Sequence, residues 1–137
     1  MKKLSVVLAI AMVLFIGVTG LSAQAIRYTV RATVPFSFTV GRTTLPAGDY
    51  VFTSLNDNVI KIQSVEDNKS TLALTGSVGG GNPVDPKLVF HRIEDRYFLA
   101  QVYLTYSATG RGLSASSAEA KLLQSQVTPQ VTIIAAK

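Results

Sequence analysis

Cysteine is absent from this chain of 137 residues, and His91 is its single histidine. Without thiols there can be no disulfide staple, no cysteine nucleophile and no lipid-modified cysteine behind an apolar leader. One imidazole and no thiolate fall short of the ligand set of a usual zinc site, so neither a metal nor a cofactor is expected. Nucleophilic catalysis needs an activated Ser, Cys or Thr beside a base. A triad through His91 with Asp95 or Glu94 is conceivable, but no Gly-x-Ser-x-Gly elbow accompanies it. The eight acidic residues have local explanations: Asp49, Asp57, Glu66, Asp67, Asp85, Glu94 and Asp95 fall in turns, and Glu119 at a helix start. Glycoside hydrolysis wants two carboxylates flanking a substrate, and calcium wants a D-x-D-x-D-G loop; neither pattern is present. No catalytic residue is assigned, and the chain reads as a non-enzyme.

Charge is also sparse, at 15% of residues with a formal net +5. Arginine and lysine are spread singly beyond the N-terminus, whereas nucleic-acid binding calls for a clustered basic stripe. They read as solvated faces and as protection of strand edges, and no nucleic-acid partner is expected.

The first segment present is a leader. Lys2 and Lys3 precede an apolar run from Leu4 to Val18, and Ala23-Gln24-Ala25 forms a small-x-small cleavage site. That order is a secretory signal peptide, with cleavage expected after Ala25. The apolar part is shorter than the ~20 residues of a bilayer span, so no transmembrane span is expected after processing. Residues 26–137 then form one exported domain, periplasmic or extracellular, large enough for a real core without staples.

From Ile26 to Val40 apolar and polar residues alternate without a break. Side chains on a strand point to opposite faces with period two, so the run is β. Pro35 cannot donate to a ladder and should divide it into strands near 26–34 and 35–40. Gly41 to Thr44 read as a turn, and Leu45-Pro46-Ala47-Gly48 as a type II turn. Strands near 50–55, 59–64 and 70–75 follow, reversed at Asn56-Asp57-Asn58 and Glu66-Asp67-Asn68-Lys69, as in a meander. Gly76 to Pro86 reads as a flexible connector or binding-face loop, since it has neither P-loop nor dinucleotide spacing. The expected fold is therefore all-β, a single small antiparallel sandwich or barrel of about seven to eight strands.

Lys87–Ile93 and Tyr97–Tyr106 should pair as a hairpin, with Leu88 opposite Val102, Phe90 opposite Ala100 and His91 opposite Leu99. One face, running from Leu88 and Phe90 through Phe98 and Ala100 to Tyr106, is assigned to the core. The other carries His91, Tyr97 and Tyr103 among apolar neighbours and is too apolar to be simply solvated. Tyrosines with an apolar body and a polar tip suit binding surfaces, so His91, Tyr97 and Tyr103 are the candidate partner or ligand surface. Ser116 and Glu119 form a capping box opening one short C-terminal helix near 116–124. Beyond it Val131 to Ala135 is a last strand or a frayed tail.

Val34-Pro35-Phe36-Ser37-Phe38-Thr39-Val40-Gly41, followed by Leu45-Pro46-Ala47-Gly48-Asp49-Tyr50, resembles the VPFxFxVG…LPAGxY signature of a family of small exported bacterial β proteins of uncharacterised function. Leu88-Val89-Phe90-His91-Arg92, Tyr97-Phe98-Leu99 and Ser116 to Glu119 match its spacing, while Tyr103 stands where similar sequences carry tryptophan. The resemblance spans roughly Val30 to Leu123 and implies one exported β domain without a particular chemistry. Three roles fit: an envelope-associated or extracellular binding and interaction module, a self-assembling subunit using strand addition, or a lipocalin-like carrier of a small apolar ligand. The partner is then an unknown protein, a cell-envelope component or a further copy of the chain.

Overall fold

The computed structural model describes residues 27–125 and 128–137, so the expected leader lies outside the described residues. The alternating run does form strands. β1 (Thr29–Val34) buries Val30, Ala32 and Val34 and exposes the residues between them. It pairs antiparallel with β4 (Gly48–Asn56), placing Val30 against Phe52 and Ala32 against Tyr50. Pro35 ends β1, as its missing N–H requires, and β2 (Phe38–Val40) makes a short hairpin with β3 (Thr43–Leu45). The reversal is confined to Gly41, at φ +59°, and Arg42, so Thr43 to Leu45 belong to a strand rather than to the turn expected there. Ala47 stays out of the positive-φ region that type II geometry requires at that position. The bend at Pro46 is held instead by the buried Tyr50 hydroxyl, which donates to the Pro46 carbonyl at 2.5 Å.

β4, β5 (Val59–Ser64) and β6 (Ser70–Val84) form the expected meander. However, β6 does not stop at Thr75. It runs through most of the glycine segment and pairs with β9 (Ser107–Leu113), a strand the sequence reading missed. Ladder hydrogen bonds need no side chains, and here bare backbone is required. A Cβ on Gly79, at φ +131°, would overlap the Ala108 carbonyl, and one on Gly112 would overlap the Val78 side chain. The Gly76–Pro86 segment is therefore mostly strand, because close pairing outweighs the low β-propensity of glycine.

β7 (Lys87–Ile93) and β8 (Arg96–Tyr103) form the expected hairpin, but with a shifted register. Leu88 opposes Val102 as anticipated. Phe90 then opposes Leu99 and His91 opposes Phe98, because Ala100 is an extra residue on β8. Such a bulge moves every later side chain to the other face. Leu99 thus joins the main core and Phe98 does not, while Tyr106 lies beyond the strand and is exposed. α1 (Ser117–Gln124) is capped by Ser116, whose hydroxyl accepts from the Glu119 N–H at 3.1 Å. β10 (Gln130–Ala135) pairs with β7, so the end of the chain is a strand and not a frayed tail.

The ladder order is β1-β4-β5-β6-β9-β8, with β7 and then β10 continuing from β8 and the β2–β3 hairpin branching from it. All pairings are antiparallel except β2 with β8. Two reciprocal backbone hydrogen bonds, Arg31 N–H to Lys137 O at 2.7 Å and Lys137 N–H to Arg31 O at 3.0 Å, tie the end beyond β10 back to β1. Among the described residues the fold is all-β with one short C-terminal helix, in ten strands rather than seven or eight. The surplus comes from β3 and β9. Among the described residues no helix is long and apolar enough to cross a membrane.

One core cluster fills the space inside. Phe38, Tyr50, Phe52 and Phe90 are fully buried there with Ile60, Ile62 and Leu88. Phe38 meets Tyr50 and Phe90 edge-on at 5.2 and 5.4 Å between ring centres, a favourable quadrupole geometry. Each such ring contributes roughly 1.5–3 kcal/mol through burial. With no disulfide, this packing and the ladder hydrogen bonds hold the domain.

Candidate functional site

The register decides where the three candidate residues go. Tyr97 pairs with Arg92, and His91 with Phe98, so Tyr97 and His91 lie on opposite faces of the β7–β8 ladder. Tyr97 turns towards the core and stacks on Phe36 at 3.7 Å between ring centres. His91 faces α1, and its Nδ1 lies 3.0 Å from Glu119 Oε1. Glu119 is almost wholly buried, so the carboxylate expected to complete the capping box is spent on His91 instead. Tyr103 shares the face of His91 but sits at the other end of the strand. Its ring covers Gly110, where a Cβ would come within 2.8 Å, and the Lys87 ammonium lies 5.3 Å from the ring centre. The three residues therefore do not form one surface. α1 packs on β7, and Val89, Ile93 and Phe98 are buried on that side.

A different place has the attributes of a site. Along β4, β6 and β9 the inward-facing positions change character towards the end of the fold that carries the Asn56-Asp57-Asn58 turn. On β4, Tyr50 and Phe52 give way to Ser54; on β6, Ala73 gives way to Thr75 and Ser77. On β9 the same side carries Leu113, Arg111 and Thr109, with Arg111 paired to Val102 on one flank and Ser77 on the other. The result is an open polar cleft of about 400 Å³ over the buried Val102, rimmed by Tyr28, Ser107, Thr109 and Asp57.

Arg111 dominates its electrostatics. The side chain is only 20% exposed, its Nη2 donates to Ser54 Oγ at 3.3 Å, and the fully exposed Asp57 carboxylate lies 3.9 Å away. That separation is beyond hydrogen-bond range. Two residues before Ser77 on β6, Thr75 Oγ1 is buried without a hydrogen-bond partner. Sequence reasoning missed Arg111 because the two glycines of Gly110-Arg111-Gly112 carry little strand signal of their own. The available signal was the period-two series Ser107, Thr109, Arg111, Leu113, which becomes meaningful only once residues 107–113 are known to be a strand.

A second groove, about 390 Å³, lies between Val40, Leu72, Leu74 and Leu113 near the start of α1. It is mostly apolar. Among the described residues no group of three or more His, Asp or Glu side chains comes together as a metal ion would need. No protein-family model, no curated protein and no solved structure matches this chain.

Proposed function

We propose that this chain is an exported, non-enzymatic binding module of the cell envelope or its surroundings, and that it works through the polar cleft around Arg111. The observation that carries this reading is the contrast between a filled interior and a cleft holding a mostly buried cation with unspent donors. Ligand sites combine apolar walls with a few convergent polar groups, and Val102, Leu104, Arg111 and the surrounding hydroxyls supply both. The fully buried Phe38, Phe52 and Phe90 occupy the space that an apolar cargo would need, which favours a surface module over a lipocalin-like carrier. β1 completes the core of its own chain, which favours a self-contained domain over a strand-exchanged subunit. His91 belongs to the seat of α1 in this reading, and Tyr97 and Tyr103 to the packing of β8.

Two experiments test it. Expressed from residue 1 in a bacterial host, the protein should be recovered outside the inner membrane beginning at Ile26; a retained leader in the membrane fraction would defeat export. The purified protein should then retain ligands from a panel of neutral and acidic envelope saccharides, and Thr109→Trp, which fills the cleft from its rim, should abolish that retention. Binding that survives the substitution would move the site elsewhere.

A further inference from the structure

The donors of Arg111 are arranged for an acceptor that the protein does not provide. A guanidinium carries five N–H groups in a fixed fork. Among the described residues its hydrogen-bonded acceptor is Ser54 Oγ, at the long distance of 3.3 Å, while the nearest carboxylate, Asp57, stands off at 3.9 Å with its side chain fully in solvent. Holding a cation largely out of water without a close counter-charge is unfavourable, so the position favours an incoming anion.

Three features narrow the chemistry. The fork of a single guanidinium matches a planar carboxylate, which it binds through two parallel hydrogen bonds. The nearby Asp57 charge leaves the cleft close to neutral, which suits a monoanion and repels a dianionic phosphate. Around Arg111 the cleft is lined by the hydroxyls of Ser77, Ser107 and Thr109, with the half-exposed Tyr28 ring at its rim. Hydroxyls that donate and accept, beside an aromatic face, suit a polyhydroxylated ring.

Resting on the binding-module reading above, we infer that the cleft takes the carboxylate of an acidic sugar, with Arg111 as its anchor. Asp57 is then an internal competitor. From its fully exposed position it holds the guanidinium loosely in the free protein and yields it to the arriving ligand carboxylate.

The test is calorimetric titration with oligogalacturonate and with the same oligomer after methyl esterification, which keeps the hydroxyls and removes the charge. The acid form should bind and the ester should bind at least about tenfold more weakly, as expected for a charge-assisted pair. Arg111→Gln should lose about tenfold or more, Arg111→Lys should recover part of that, and Asp57→Asn should gain roughly threefold. A merely structural ion pair would not give that gain. Equal binding of acid and ester, full affinity in Arg111→Gln, or weaker binding in Asp57→Asn would each overturn the inference. If neither oligomer binds while another ligand of the panel is lost in Thr109→Trp, the acidic-sugar assignment fails and the cleft remains the site. If Thr109→Trp affects no ligand at all, the underlying reading fails as well.

Discussion

The two ends of the interior share β4 and the same alternation of faces, yet their inward-facing positions differ in character. In one, Phe38, Tyr50, Phe52 and Phe90 exclude water completely. In the other the inward positions are polar: Ser54 follows Phe52 on β4, and Thr75, Ser77 and Arg111 stand on β6 and β9. The period-two rule settles only which face a residue occupies. What that face does depends on how far along the strand it lies, because the packed rings end where the cleft begins. Under the proposed function, stability and recognition are thereby separated, and the cleft carries a poorly paired cation away from the packed rings.

That separation has measurable consequences. The largest should come from the filled end. Phe90→Ala removes a fully buried ring that touches Phe36 edge-on at 5.0 Å, and urea unfolding should show a loss of about 3–5 kcal/mol. A loss near ~1 kcal/mol would mean that this end is not close-packed. Next is the seam where β6 passes from one end towards the other. Gly79→Ala combines a positive φ with an overlap onto the Ala108 carbonyl and should cost about 1–3 kcal/mol, read by the same unfolding curve.

At the polar inward positions of β6 the sign should reverse. Thr75→Val replaces a buried hydroxyl that has no partner by a methyl group, and should be neutral or stabilising by about 1 kcal/mol. A clear destabilisation would show that the hydroxyl is satisfied in solution. Arg111→Gln should change stability by no more than about 1 kcal/mol, since its carboxylate partner is exposed and distant. Cleft and core would be coupled after all if the loss rivalled that of Phe90→Ala.

The smallest effect should appear at alkaline pH. Burial, then the charges of Asp67 and Glu66, push the Tyr50 phenol above its ordinary value of 10.0. Unfolding releases that restraint, so above about pH 10 the native state holds more protons than the unfolded one, and stability falls as pH rises. Below that pH the group contributes no slope. Tyr50→Phe should flatten the alkaline limb of a stability–pH profile while losing the hydrogen bond to Pro46; an unchanged limb would assign it to other groups.

Much of the architecture was legible locally. Pro35 ends a strand because it lacks an N–H, Asn56-Asp57-Asn58 reverses the chain, and Ser116 caps a helix through its own hydroxyl. Each of these acts over a few residues, so the sequence carries it directly. The errors share one cause. Glycine in Gly76–Gly81 and Gly110-Arg111-Gly112 weighs against a strand when read locally, whereas here it permits two strands to approach, and that depends on a partner some thirty residues away. The extra residue at Ala100 likewise follows from how β8 must serve β7 on one side and β2 and β9 on the other.

By itself, then, the sequence determined an all-β fold without covalent staples, with its alternating faces and a short C-terminal helix, because periodicity, turn chemistry and capping are properties of neighbouring residues. The tertiary structure alone decided that Tyr97 faces the core while His91 meets Glu119, and that Arg111 stands beside Ser54, Ser77 and Val102 in a polar cleft. Those contacts join residues far apart in the chain. Their register is set by bulges and strand pairings that no local pattern encodes.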